Sequence, residues 1–379
     1  MTVTLISGFL NHHQLSLCHA LKAQCDKFYY IATAKISAER LSLGYKDSTH
    51  LHDFVLKPYE SKEAEKEALR IISESDIVIF GTCPDSYIEH RMRENKLSFL
   101  YSERLFKKGT WRRFIPRTRK KITSRILKFK DKNLYVLCAS AFLSRDLKLL
   151  GFPPEKCLRW GYFPESDLHV TRPERSNKTV KLLWAGRLIS WKHPDSAVKG
   201  ALYLEKNGID FTLDILGEGE KKAELEAMVQ DLGLSSKVRF LGAMSPEKVR
   251  ENMGKADVFL MTSDFREGWG AVVNEAMSEG CALLASSAVG SVPFLIRDGE
   301  NGLIYRYGDS RDMREKLLLL ARDKNLRETL GRNAFLTVNN EYSVKVAVER
   351  FLKFANNPET AEFESGPMSR APIMKNKWY

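Results

Sequence analysis

The chain has 379 residues, 43% of them hydrophobic and 28% charged, with a formal net charge of +12. That length accommodates two domains with separate cores, and the composition argues against fibrous or largely disordered chains. Six dispersed cysteines without a Cys-x-x-Cys pair argue against a disulfide framework or a zinc site and point to a reducing, cytoplasmic setting. No apolar run approaches the roughly 20 residues of a membrane span, and the start, Met1-Thr2-Val3-Thr4, lacks the basic region of a signal peptide.

In chain order, apolar runs at residues 3–7, 27–32, 76–81, 97–101 and 134–138 predict strands, and residues 13–24 predict a helix. Short apolar runs separated by helical patterns predict a parallel sheet covered on both faces. This first domain spans residues 1–165. Within it, residues 104–130 carry twelve Lys or Arg and no Asp or Glu, which equals the net charge of the whole chain. Trp111 and Phe114 interrupt the charges, and Ile115, Ile122, Ile126 and Phe129 recur at helical spacing. A basic segment with an apolar face suits an anionic membrane surface. A basic helix simply packed on its domain is the plain alternative. Nucleic acid carries the least weight and is not expected as a partner.

A polar linker with Pro164 and Pro173 follows at residues 163–178. A second alternation then places strands at 180–186, 211–217, 238–242, 257–262 and 282–286. Helices fall at 193–206, 220–231, 246–254 and 269–279, a second doubly wound unit over residues 179–340. Further helices are predicted at 310–322, 325–337 and 344–355. The polar tail from residue 357, with Pro358, Pro367 and Pro372, is expected to be poorly ordered.

The chemistry concentrates in residues 264–280. Glu267 and Glu275 stand eight positions apart, and Gly268 and Gly270 open the helix between them. Glycines at a helix start let a ligand approach the backbone, and the unpaired N–H groups there suit an anion. A loop carboxylate, a phosphate-friendly helix start and a second carboxylate suit hexose, pyrophosphate and ribose in turn. Upstream, Arg187 and Lys192 follow a strand and offer a planar fork and a point charge to a diphosphate. Gly217-x-Gly219 ends the next strand, and Gly242, Ala243 and Met244 end the third, where backbone could edge a nucleobase.

Taken together, residues 180–323 resemble the retaining glycosyltransferases of family 4, which have the GT-B fold. The resemblance rests on Gly186-Arg187-Leu188 with Lys192, Gly217-x-Gly219, Phe240-Leu241-Gly242, Glu267-Gly268-Trp269-Gly270 with Glu275-Ala276-Met277, Asp298-Gly299-x-Asn301-Gly302 and Gly308-Asp309. It implies an α/β chain of two Rossmann-like domains facing a central cleft, with the acceptor on the first and the nucleotide-sugar on the second. It also implies a helix, 341–356, that crosses back to the first domain. Arg187 and Lys192 would hold the diphosphate, and Glu267, with Gly268, Trp269, Gly270 and Ala271, the hexose. Glu275 would hold the ribose, while Ala243 and Met244 flank the base. The family's first-domain Gly-Gly and histidine correspond here to Ser7-Gly8-Phe9-Leu10-Asn11-His12-His13, and either His12 or His13 could face the sugar. Its later Gly-Gly and Glu become Gly290-Ser291 and Phe294.

No Asp-x-Asp occurs, so the usual carboxylate clamp for a metal on the diphosphate is missing. No metal or cofactor is expected beyond the donor substrate. Fixed cations and the helix start would stabilise the leaving group. The expectation is transfer of a hexose, with retention, to a glycan or lipid-linked glycan of a bacterial surface polysaccharide, by a cytoplasmic enzyme peripheral to the membrane. A nucleotide-sugar epimerase and a non-catalytic partner subunit are the rivals.

Overall fold

The computed structural model describes residues 1–38, 47, 49–164 and 178–379, so most of the expected linker lies outside the described residues. The chain divides into two compact units, Met1–Glu165 with Ser343–Lys375, and Ser166–Tyr342 with Asn376–Tyr379.

The first unit is built on β1 (Thr2–Ser7), β2 (Lys27–Ala32), β3 (Val55–Leu56), β4 (Ile77–Phe80), β5 (Ser98–Ser102), β6 (Leu134–Cys138) and β7 (Cys157–Arg159). All pairings are parallel, in the order β3-β2-β1-β4-β5-β6-β7. The apolar runs become strands because both faces are covered: all four residues of β4 are buried. Direction reverses between β1 and β4, so the loops after β1 lie at a topological switch point. The short β3 and β7 escaped the sequence reading because two or three residues carry no usable period.

The helix Val344–Asn356 belongs to this unit. Its Phe351 ring lies 4.8 Å from that of Phe99 and 5.8 Å from that of Trp160. The tail expected to be poorly ordered is instead laid along the sheet edge. Arg159 N–H donates to Ser369 O at 2.7 Å, Met368 N–H to Arg159 O at 2.8 Å and Ala371 N–H to Cys157 O at 2.9 Å. Composition misled here because the backbone groups of an edge strand recruit the segment, with Met368 and Ala371 buried where it docks.

The basic segment is also corrected. It forms a helix, Pro116–Arg125, as its spacing predicts, but Ile122, Ile126 and Phe129 are buried in the unit and offer nothing to a membrane. The outward apolar residues are Trp111 and Phe114, 58% and 70% exposed, on the turn Thr110–Phe114 just before that helix.

The second unit holds β8 (Val180–Ala185), β9 (Phe211–Leu216), β10 (Val238–Gly242), β11 (Val258–Met261), β12 (Ala282–Ser286) and β13 (Leu303–Tyr305). They too are parallel, in the order β10-β9-β8-β11-β12-β13. The switch point falls between β8 and β11, which pair at Val258 with Leu182. Three helices, Ser310–Arg322, Lys324–Leu336 and Ala271–Ser278, pack on this sheet or on one another. Asp309 caps the first of them by accepting from the N–H groups of Arg311 and Asp312 at 3.1 and 3.0 Å. Asn376–Tyr379 return to this unit, where Trp378 Nε1 donates to Ser287 O at 2.9 Å and Tyr379 Oη bonds Lys316 Nζ at 2.7 Å.

Candidate functional site

The loops after β8 and β11 meet at the switch point of the second unit and are zipped together. Trp184 Nε1, from β8, donates to Thr262 Oγ1 at 2.8 Å, and Thr262 Oγ1 donates to the Lys192 carbonyl at 2.7 Å. Asp264 N–H donates to Trp191 O at 3.0 Å. His193, before Pro194, takes a left-handed backbone with φ 49°, an uncommon conformation for a non-glycine residue. Its Nε2 lies 3.7 Å from Asp264 Oδ2, and its ring lies 5.9 Å from that of Tyr307.

Gly217 and Gly219 turn out to serve the scaffold. A Cβ on Gly217, where φ is +135°, would sit 1.9 Å from Gly186 O, and one on Gly219 would sit 2.4 Å from Leu188 O. The two loops share backbone bonds, Gly186 N–H to Leu216 O at 3.0 Å and Leu188 N–H to Glu218 O at 2.9 Å. Their smallness lets one loop lie on the other and so aims Arg187, which is exposed and makes no ion pair among the described residues.

Glu267 is placed by a tight turn in which Arg266 N–H donates to Asp264 Oδ1 at 2.7 Å and Glu267 N–H to Asp264 O at 3.0 Å. Its Oε2 accepts from Lys192 Nζ and from Ser263 Oγ, the latter at 2.9 Å. The Lys192 and Glu267 side chains are only 14% and 11% exposed, so the pair is shielded from salt. Glu267 Oε1 has no hydrogen-bond partner among the described residues. Three residues on, Gly270 takes φ +86° and opens the helix Ala271–Ser278 without a side-chain cap. A Cβ there would meet Met261 Cε at 2.9 Å and Val289 Cγ1 at 3.0 Å, and the left-handed φ itself strains any L side chain, so the position favours glycine. The first N–H groups of that helix have no acceptor within it and suit a phosphate oxygen.

Glu275 lies in the same helix and is buried. Burial pushes its carboxyl up to about 7, nearby Arg250 opposes this, and Glu279 adds to it. Arg250 is itself engaged, Nη2 to Glu279 Oε1 at 2.8 Å. The side chain reaches neutral pH poised between its two forms, not as the permanently charged group expected.

The predicted residues divide accordingly. Lys192, Glu267, Gly268, Gly270 and Ala271 are brought together, with Arg187 on the same loop as Lys192. The Trp269 ring is fully buried, with Nε1 donating to Asn274 Oδ1 at 2.7 Å, so its side chain belongs to the core and only its backbone stands at the loop. Ala243 is exposed and Met244 half-buried just after β10, where Met244 Sδ accepts from Asn252 Nδ2 at 3.5 Å. Asn301 is a scaffold residue too, bonding Arg297 N, Leu295 O and Thr337 Oγ1. His13 lies in the first unit, its ring 5.8 Å from that of Tyr162. The side chain of His12 lies outside what is described. Ser263 and His193 were missed. The only sequence signal was their place, small polar or X-Pro residues at the ends of apolar runs.

Two parallel doubly wound sheets in one chain, each with its own switch point, define the GT-B fold. HepE of Anabaena, solved in complex with UDP, shares it: the TM-score is 0.71 over 94% of this chain and 100% of that one, at 15% identity. Residues 169–337 match the family model described as Glycosyl transferases group 1. The lipopolysaccharide core biosynthesis glycosyltransferase LpsE of Rhizobium meliloti is 30% identical over 139 residues, 37% of this chain and 40% of that protein. An α-1,4-N-acetyl-D-galactosaminyltransferase of Campylobacter jejuni, named for a diphosphoundecaprenol-linked acceptor, is 34% identical over 154 residues, 40% and 42% of the two chains. The chain thus spans about two fifths of the length of these curated relatives, and the residues matched by the family model include Lys192, Glu267 and Glu275.

Proposed function

We propose that the chain is a retaining family 4 glycosyltransferase that moves a hexose from a nucleoside diphosphate sugar to a glycan or lipid-linked glycan of a bacterial surface polysaccharide. The observation that carries this reading is Glu267: its carboxylate is fixed by Lys192 and Ser263 at the switch point, with Oε1 left to accept hexose hydroxyls, three residues before an uncapped helix start. The names of the relatives, lipopolysaccharide and lipid-linked glycan transferases, support the biosynthetic setting.

In this reading Arg187, Lys192 and the helix start at Gly270 hold the diphosphate, and the charge that grows on it meets dipoles and cations already in place. The bond from the anomeric carbon to the phosphate oxygen breaks. The acceptor oxygen bonds the same carbon from the same face, and its proton passes to the departing phosphate. Glu267, tied to the hexose hydroxyls, is not the nucleophile. Glu275 accepts from the ribose hydroxyls, which stabilises its charged form. The chemistry is read as independent of a divalent metal, since the sequence has no Asp-x-Asp and supplies Arg187 and Lys192 instead.

The same reading places the enzyme on the inner membrane face. No helix among the described residues is long and apolar enough to cross a membrane. Trp111 and Phe114 project from one turn, with the Arg112 guanidinium 5.7 Å from the Trp111 ring and that of Arg113 4.2 Å from the Phe114 ring. Arg117, Arg119, Lys120 and Lys121 follow and make no ion pair among the described residues. Aromatic side chains beside unpaired cations fit an interface with anionic headgroups.

The test is a thermal-shift panel of nucleoside diphosphate sugars, beginning with the uridine series, followed by a transfer assay in excess chelator. Binding raises the melting temperature by mass action. Turnover of the donor into an isomeric nucleotide-sugar without acceptor would make the protein an epimerase, and loss of transfer in chelator would overturn the metal-free chemistry.

A further inference from the structure

The loop after β8 ends on a residue that breaks the local rules of its own position. His193 closes the turn Ser190–Lys192 and precedes the helix Pro194–Lys206. Its backbone is left-handed, with φ 49° and ψ 50°, a conformation that strains a bulky side chain and suits glycine or asparagine. Pro194 adds to the cost, since a proline drives the residue before it toward extended backbone. His193 stands at the N-cap of that helix, yet its side chain caps no N–H, the task that serine, threonine, aspartate or asparagine performs there. Its Nε2 is enclosed and has no hydrogen-bond partner among the described residues, which is unfavourable for a buried polar atom.

The atom it faces is on Asp264. His193 Nε2 lies 3.7 Å from Asp264 Oδ2, with the two side chains 34% and 9% exposed. That separation is about half an ångström beyond hydrogen-bond reach. Three other ties between the same loops are already closed: Asp264 N–H to Trp191 O at 3.0 Å, Thr262 Oγ1 to Lys192 O at 2.7 Å, and the Lys192–Glu267 pair. Asp264 is also the residue whose Oδ1 and carbonyl build the turn that places Glu267. The neighbourhood is held firmly. The Tyr307 ring meets the Phe265 ring edge-on at 5.4 Å and stands 5.9 Å from the His193 ring, and Tyr307 N–H donates to Ser287 Oγ at 3.0 Å. Arg266 Nε, 3.3 Å from Asp264 Oδ2, is the other cation at that carboxylate. Broken local rules and stored strain concentrate where they serve function, and here they meet on one unclosed contact.

We infer that His193 is a positioning residue for Glu267: with the donor in place, its Nε2–H donates to Asp264 Oδ2, and the closed contact fixes the turn that holds Glu267 against the hexose. The bond forms only in the loaded loops, so its benefit falls on turnover and not on the resting fold. An imidazole reaches Asp264 from the left-handed position, whereas glycine and asparagine, which tolerate that backbone better, do not. This inference rests on the glycosyltransferase reading, which gives Glu267 a hexose to hold.

The test uses the full chain with the nucleoside diphosphate sugar selected by thermal shift, and octyl glycosides of the common neutral hexoses or water as acceptor. His193→Asn accepts the left-handed backbone but is too short to reach Asp264. It is expected to lower kcat by about tenfold to a hundredfold, the effect of a lost bond to a charged group and a misplaced Glu267. Its Kd for the free nucleoside diphosphate should match wild type, and its melting temperature should equal or exceed it. His193→Gln carries an amide N–H to about the reach of Nε2 and should recover most of the lost kcat. Three results overturn the role of His193: a kcat of His193→Asn equal to that of an active wild type, a melting temperature or nucleotide affinity that falls along with kcat, and a His193→Gln no faster than His193→Asn. The second of these would mark His193 as a plain structural residue. A wild-type protein that binds the donor but transfers its sugar to neither glycoside nor water overturns the transferase reading itself, and the role of His193 falls with it.

Discussion

Lys192 and Glu267, 75 positions apart, close into a largely buried ion pair at the switch point of the second sheet. The side chain expected at the diphosphate and the side chain expected at the hexose are therefore one unit. Each holds the other in place before any substrate arrives, so the geometry costs little to assemble at the moment of reaction.

Lys192→Ala is expected to lower kcat on the order of a hundredfold or more, with a smaller effect on donor affinity, because the charge on the diphosphate grows as the glycosidic bond breaks. It also leaves Glu267 without its cation in a nearly buried place, so the variant should unfold more easily, by about 1–3 kcal/mol. Steady-state kinetics and a denaturation curve measure both. A change confined to KM would make Lys192 a uniform-binding residue.

Glu275 predicts a pH dependence of nucleotide binding. Its carboxyl sits at about 7 in the free protein because of burial. Ribose hydroxyls donate to the charged form, so binding lowers that value and releases a proton. Affinity for the nucleoside diphosphate should rise as pH is raised through 7, and then level off. Glu275→Gln should flatten the profile, and Glu275→Ala should weaken binding by tens-fold, the worth of about 1.5–3 kcal/mol. Isothermal calorimetry in buffers of different ionisation enthalpy reads both the slope and the proton.

The same group predicts a stability trend of opposite sign. Its folded value lies above the ordinary 4.5, so its favourable contribution is complete below that pH and fades as pH rises through 7. The stability of Glu275→Gln relative to wild type should therefore grow from pH 5 to pH 8, by on the order of 3 kcal/mol at most. Paired urea melts at the two pH values give the difference directly, and a gap that narrows with pH would contradict the raised value.

Gly217→Ala should damage folding more than chemistry. The added Cβ would lie 1.9 Å from Gly186 O at a φ of +135°, against backbone that cannot rotate away. A loss of more than about 2 kcal/mol is expected, since the strained backbone and the clash act together. A melting temperature equal to wild type would show that the two loops separate freely.

The aromatic turn and the basic helix after it predict co-sedimentation with anionic vesicles but not neutral ones, weakened by salt. Replacing Arg117, Arg119, Lys120 and Lys121 together by Glu should abolish it. Trp111→Ala with Phe114→Ala should reduce it while leaving the salt dependence, because the aromatics contribute burial and the helix contributes charge. A blue-shifted tryptophan emission on vesicles, lost with Trp111, would identify the inserted turn. Indifference of the wild-type protein to anionic vesicles at low salt removes the membrane from the reading.

The fold was legible from residue patterns because strands buried on both faces must be nearly all apolar, and their short runs alternate with helical periods. The site was legible in part. Glu267, Gly270 and Glu275 share one local segment whose spacing survives in sequence. That the Trp269 ring lies under the loop was not legible, because a tryptophan beside a ligand loop and a tryptophan under it look alike along the chain.

By itself the sequence determined the two alternations of strand and helix, the single basic segment and the local order of glycines and glutamates around the helix Ala271–Ser278, because each is a property of neighbouring residues. Only the tertiary structure decided that Lys192 neutralises Glu267, that Gly217 and Gly219 make room for the backbone of the neighbouring loop, and that Glu275 is poised near neutrality. Each of these depends on burial and on partners tens of residues away. A parallel sheet brings such partners together through its crossovers, and no local period records which strand ends will meet.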